Sequence, residues 1–320
     1  MRPVAQERDP PVALRWEGRT PVRPVAQERD PPVALRNEEK IKMNEIKDSK
    51  KCLQSWLERI QQRRPLLECL TNVVTINDVA NVILACGASP VMADAADEVP
   101  DFVNIASGVI INVGTMQNRY SYEIAMRYAQ EYGKPVVLDP VGVGAAKART
   151  TITNALLRRY PCAIIRGNAS EIRTLAEGAG ETKGVDAAVG DAVTEETIPA
   201  RLAVVKAVAN RWHCTVAMSG AIDLISDGKV SYACRNGVPW MSNVTGTGCS
   251  LTGLTGAFAA VAEKSEMAEA AAYATAMMGM AGEVAYAKAK SLGLGSFRVY
   301  LIDALSMILE QDVQPRLELL

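Results

Sequence analysis

From Met43 onward, apolar and polar positions follow two periods in alternation. Ile46, Cys52, Leu53, Trp56, Leu57 and Ile60 share one face of a helix that stops before Pro65. A strand over 66–70 comes next, and helical spacing returns near 77–85, 121–131, 150–159, 170–176 and 195–212. Between these lie short β-rich runs at 108–113, 135–139, 163–166 and 215–218, largely apolar on consecutive positions. Strands buried on both faces and separated by helices predict an α/β fold with a mainly parallel central sheet, covered on either side. Asp227-Gly228, between 223–226 and 229–234, predicts a hairpin, and three helices close the sequence. No linker interrupts 43–320, so that stretch is read as one domain.

The first 42 residues obey neither period. RPVAQERDPPVALR at 2–15 returns letter for letter at 23–36. Two charged, proline-rich copies do not make a solenoid, so an extended, disordered tail is expected. A duplication artefact is the alternative, with Met43 as the original start.

Composition narrows the function classes. The 320 residues are 48% hydrophobic with a formal net charge of -1, enough to bury a large core and without bulk attraction for nucleic acid or anionic membrane. Neither a signal peptide nor a membrane-spanning run is read from the chain. Its seven cysteines form no Cys-x-x-Cys pair, so neither a zinc site nor a disulfide framework is predicted, and reduced thiols in a cytoplasmic enzyme are expected. His213 is the single histidine, which excludes chemistry needing several.

The candidate chemistry begins at Val244-Thr-Gly-Thr-Gly-Cys-Ser250, which opens into a helix of small apolar residues. Unpartnered N–H groups at a helix start, with the helix dipole behind them, attract a phosphate, and glycine lets it approach. A tight turn feeding a buried helix is the plainer reading of such a string. Ligands of open α/β sheets sit beyond the carboxyl ends of the strands, and there this chain places Thr71-Asn72, Asp139-Pro140, Arg166-Gly-Asn-Ala-Ser-Glu171 and Ser219-Gly220. One arginine, two carboxylates and glycine-rich turns on a common edge suit a nucleotide phosphate and its Mg2+. Each residue also has a structural reading. Asn168-x-x-Glu171 is a capping box, Asp139 ends a strand, Arg166 pairs with a nearby carboxylate, and Met92 fills a core gap.

Over 69–309 the chain resembles the hydroxyethylthiazole kinase family, the thiamine-salvage branch of the ribokinase-like superfamily. The resemblance is carried by Leu70-Thr-Asn72, Gly87-Ala-Ser-Pro-Val-Met92, Ile111-Asn-Val-Gly-Thr115, the 138–144 loop, Arg166 to Ile172, Lys183-Gly-Val-Asp186 and Thr245 to Cys249. It implies a three-layer α/β/α ribokinase-like fold, and transfer of the γ-phosphoryl of ATP, with Mg2+, to the primary alcohol of 5-(2-hydroxyethyl)-4-methylthiazole. By the same resemblance Arg166, Ser219 and Asn168 would contact the nucleotide, Asp139 and Glu171 would hold the metal, and Met92, Gly246 and Asn72 would line the thiazole pocket. Ser219 departs from the threonine of many relatives and keeps the hydroxyl. Gly248 and Cys249 would sit at the transferred group, where Cys249 is either a weak base, its thiol acidified by the helix N-terminus, or only a substrate contact. A homotrimer with sites between subunits is also implied. The rival readings are a related small-molecule kinase, such as one acting on hydroxymethylpyrimidine, and a silent nucleotide-binding protein of the same fold.

Overall fold

Every β-rich run forms a strand, and three more strands join at the rims of the sheet, two on one side and one on the other. In the computed structural model, which describes residues 44–117, 119–177 and 193–320, the strands are Asn44–Glu45 (β1), Leu66–Leu70 (β2), Ser89–Val91 (β3), Gly108–Asn112 (β4) and Val136–Asp139 (β5). They continue with Ile164–Asn168 (β6), Thr215–Ser219 (β7), Asp223–Ser226 (β8), Ser231–Cys234 (β9) and Leu317–Leu319 (β10). All ten belong to one sheet in the order β1-β10-β9-β8-β7-β6-β5-β4-β2-β3. From β3 across to β7 neighbours run parallel; from β7 outward to β1 they run antiparallel, and the hairpin at Asp227-Gly228 joins β8 to β9.

Ten helices cover the sheet among the described residues: Ser49–Arg63 (α1), Ile76–Ala85 (α2), Val99–Ile105 (α3), Arg119–Glu131 (α4), Lys147–Arg159 (α5), Ala169–Glu177 (α6), Ile198–Trp212 (α7), Thr247–Ala259 (α8), Met267–Ala289 (α9) and Leu294–Ser306 (α10). Successive side chains of a strand point to opposite faces, so Ile110 packs under α8 and α9 while Val109 and Ile111 pack under the helices of the other layer. One core therefore joins α1, α2, α8, α9 and α10 to the sheet, and the second joins α3 to α7, which makes three layers. Helix α1 buries Leu53, Trp56, Leu57 and Ile60 along a single stripe. Helix α9, apolar on nearly all sides, is buried over most of its length and exposes Tyr286 to Lys288 near its C-terminus.

Residues Ile41–Leu320 segregate as one compact unit. The duplicated segment 1–42 and the string Lys183-Gly-Val-Asp186 lie outside the described residues. All seven cysteines are free thiols, six of them buried. His213 caps the C-terminus of α7 in the left-handed region, at φ 51. Strand β6 runs beyond the predicted stop at Arg166 to Asn168, so the arginine lies inside the ladder. No described helix is long and apolar enough to cross a membrane.

One buried group fits the core poorly. Glu68, in the middle of β2, is wholly enclosed, and neither carboxylate oxygen has a hydrogen-bond partner. Burial, reinforced by the negative charges of Glu98 and Asp94, pushes its carboxyl up to about 8, so it is held protonated at neutral pH. Because the folded value lies above the ordinary 4.5, its contribution to stability is complete below that value and is lost as pH rises through about 8. Glu68→Gln does not titrate. Its melting temperature should gain on the wild type progressively between pH 5 and 9, and two parallel profiles would refute this reading.

Candidate active site

The parallel strands end on one edge of the sheet, and the ladder register sets polar residues side by side there. Asn112 is the cross-strand partner of Asp139, and Asn168 that of Ser219. Helix α8 starts over the same edge. Its N-cap is Gly246, in the left-handed region at φ 87, and a Cβ there would come within 2.7 Å of Thr75 Cγ2. Gly248 is needed for a different reason: a Cβ would stand 2.8 Å from Arg166 Nη1. The glycines thus admit the turn at the first position and the guanidinium at the second.

Asp139 ends β5 at this edge with no exposed surface. Its Oδ2 accepts hydrogen bonds from Asn112 Nδ2 at 2.9 Å and from Thr252 Oγ1, one helical turn beyond Gly248, at 2.8 Å. Its Oδ1 is buried and has no partner. Desolvation pushes the Asp139 carboxyl up to about 6, opposed by Arg166 and the two hydrogen bonds and aided by the charge of Glu171. The acids at 139 and 171, Arg166 and the first turns of α8 therefore lie close together at one edge of the sheet.

Glu171 does two jobs already. Its Oε2 accepts the Asn168 N–H at 2.9 Å while Asn168 Oδ1 accepts the Glu171 N–H at 2.9 Å, which is the reciprocal capping box expected for α6. Its Oε1 accepts the Gly142 N–H at 2.9 Å, tying the loop after β5 to the start of α6. Asn168 is otherwise exposed, so its demonstrated role is the cap. Arg166 is buried and donates from Nη2 to Ser219 Oγ at 2.8 Å, a hydroxyl partner in place of the carboxylate that the structural reading offered.

Beside this cluster opens a cavity of about 510 Å3, bordered by Arg166, Ser219, Asp223, Gly237, Thr247 and Gly248. Its far wall is held from the C-terminal segment. The Asn236 side chain donates to the Gln314 carbonyl at 3.0 Å and accepts the Arg316 N–H at 2.6 Å, and Glu283 of α9 accepts the Gly237 N–H at 3.0 Å. Desolvation also pushes the Asp223 carboxyl up to about 7.

On the opposite flank, Asn72 Oδ1 accepts from Thr115 Oγ1 at 2.9 Å and from the Val74 N–H at 3.1 Å, and its amide lies against Gly114. Met92 follows β3 at the rim of the sheet, half-buried against the core.

Cys249 is the third residue of α8, and Asn112 Nδ2 donates to its Sγ at 3.2 Å. The expected acidification by the helix start is reversed. Burial and then the nearby Asp139 push the thiol above its ordinary value, and the lowering by Thr75, Asn112 and Arg166 does not compensate. A neutral thiol is a poor base. Cys249→Ser should therefore keep turnover within about tenfold of the wild type, a change smaller than general-base loss ordinarily brings. A steady-state assay that finds a larger drop would restore the thiol as base.

Two carboxylates with one buried, unpartnered oxygen are a suitable donor set for a hard divalent cation. No group of three or more His, Cys, Asp or Glu residues able to hold a metal occurs among the described residues, so water and phosphate oxygens would have to complete such a shell.

A model described as the hydroxyethylthiazole kinase family matches residues 57–311. The hydroxyethylthiazole kinase of Ruminiclostridium cellulolyticum is 42% identical over 252 residues, spanning 78% of this chain and 90% of the relative. That of Clostridium acetobutylicum is 42% identical over 254 residues, spanning 78% and 93%. Among solved structures, the hydroxyethylthiazole kinase protein from Pyrococcus horikoshii OT3 superposes with a TM-score of 0.73 at 38% identity, covering 84% of this chain and 99% of that one. A ribokinase-like superfamily protein from Enterococcus faecalis V583 reaches a TM-score of 0.55 at 13% identity, over 82% and 94%, a likeness of fold alone.

Proposed function

This chain belongs to the hydroxyethylthiazole kinase family, and on that premise we propose that it transfers the γ-phosphoryl group of ATP to the primary alcohol of 5-(2-hydroxyethyl)-4-methylthiazole, a step of thiamine salvage. One observation carries the reading: the N-terminus of α8, Arg166 and Asp139 lie together at one edge of the sheet, next to a cavity large enough for a nucleotide.

The phosphate chain of ATP lies along the first turn of α8, where the amides around Gly246 and Gly248 and the guanidinium of Arg166 meet the charge on the γ-phosphoryl oxygens. Ser219 orients Arg166. Asp139, through its free Oδ1, and Glu171 would hold Mg2+ and its waters, and the metal when bound neutralises charge on the phosphates. Phosphoryl transfer runs through a loose transition state, so positioning and charge neutralisation supply most of the rate and the alcohol keeps its proton until late. This agrees with a neutral Cys249 that touches the substrate without deprotonating it.

Asn72, Gly246 and Met92 form the thiazole side of the site, and we read the functional unit as a homotrimer in which a second copy completes it. Val73 and Val74, next to Asn72, support this, since both are apolar and exposed, at 49% and 68%. The seven free thiols support a cytoplasmic location.

The test is direct. Purified protein incubated with ATP, MgCl2 and the thiazole alcohol should yield its monophosphate by mass spectrometry. Faster phosphorylation of hydroxymethylpyrimidine, or no product from either alcohol, would overturn the assignment.

A further inference from the structure

We propose that Asn112 is a positioning residue of the phosphoryl-transfer centre, locking the metal-side carboxylate of β5 to the first turn of α8 through a single amide group; the inference rests on the kinase reading above. Asn112 ends β4 with no exposed surface. The orientation of its amide follows from its neighbours. The Gly114 N–H offers only a proton, so Asn112 Oδ1 must face it, at 2.9 Å. The two N–H groups are then left for two acceptors, Asp139 Oδ2 at 2.9 Å and Cys249 Sγ at 3.2 Å.

Three elements meet at this one side chain: the acid at the end of β5, the helix start that receives the phosphate, and the Gly114-Thr115 loop that Asn72 approaches. Asn112 and Thr252 both donate to the same oxygen of Asp139, which fixes the carboxylate and leaves the buried Oδ1 without a partner. Partners that orient a metal ligand in this way are commonly worth 10–100-fold in affinity or activity. The Arg166–Ser219 hydrogen bond, on the nucleotide side of the proposed site, does not involve this amide.

Two substitutions separate positioning from space-filling. Asn112→Ala removes both donors. Asn112→Asp keeps the shape and sets a second carboxylate against Asp139. If the role is positioning, turnover should fall roughly 30–100-fold in Asn112→Ala, with KM for ATP within about threefold, and fall further in Asn112→Asp. A residue that only filled space would make the isosteric aspartate the milder change.

Calorimetry of ADP gives a readout free of turnover. Asn112→Ala should lose the affinity that Mg2+ adds and keep metal-free binding within about twofold. If Asn112→Ala does not fold, Thr252→Val removes the other donor isosterically and should likewise cost Mg2+-dependent ADP affinity while sparing metal-free binding. Turnover within threefold of wild type in Asn112→Ala, a milder Asn112→Asp, or equal loss of ADP affinity with and without Mg2+ would each overturn the proposal. Failure of the wild type to phosphorylate the thiazole alcohol would instead count against the function, and the ADP measurements would still decide the role of Asn112.

Discussion

Asp139→Asn should remove nearly all turnover, on the order of 10³-fold, and leave a protein that is at least as stable as the wild type. The loss follows from withdrawing a carboxylate whose free oxygen suits a divalent cation, since charge stabilisation by such an ion is worth several kcal/mol in phosphoryl transfer. The stability follows from burial. In the folded protein the carboxyl titrates at about 6, above its ordinary 3.8, so the stabilisation it allows is complete below the lower value and is lost as pH rises through the upper one. Asparagine preserves the shape and does not titrate. Without divalent cations, the melting temperature of Asp139→Asn should therefore draw ahead of the wild type between pH 4 and 7.5. A variant both inactive and less stable at pH 7.5 would mean that Asp139 is structural, with no special part in the reaction.

Gly248→Val should cost about 10²–10³ in turnover, the scale found when a preorganised anion donor is lost. Its Cβ would lie 2.8 Å from Arg166 Nη1, so the guanidinium must leave and the branched side chain covers the amides at the helix start. This glycine is a cleaner probe than Gly246. Gly246 sits at φ 87 and its Cβ would meet Thr75 at 2.7 Å, so substitution there strains the turn itself, whereas Gly248 lies within the helix. Near wild-type rates in folded Gly248→Val would reject the first turn of α8 as the phosphate site.

The strands were legible because continuous apolar runs between helices leave few alternatives, and the exits of those strands then pointed to Asp139, Arg166 and Ser219. The capping box at Asn168 and Glu171 was equally plain from its spacing. Asn112 and Thr252 escaped as functional residues, though the signals were present. Asn112 is the one polar side chain in the apolar run at 108–113, and Thr252 stands four residues after Gly248 on the same helix face. What no spacing reveals is that β4 and β5 pair so as to set Asn112 against Asp139 across 27 residues of chain. Strands β1, β3 and β10 are two or three residues long, too short for any period to register, and only the ladder of their neighbours identifies them. The direction of the Cys249 shift was hidden for a related reason. A helix start argues for acidity, and the depth of burial that overrides it belongs to the tertiary structure.

The placement of β10 between β9 and β1 reaches beyond the sheet. Residues 314–316 brace Asn236, and Leu317–Leu319 give Asn44–Glu45 its pairing partner. During synthesis Asn44–Glu45 therefore emerges long before its pairing partner, and the cavity beside Arg166 gains its brace at Asn236 only once residues 314–316 have followed. Leu320 belongs to the same late closure, its N–H bonded to the Ser231 carbonyl at 2.9 Å.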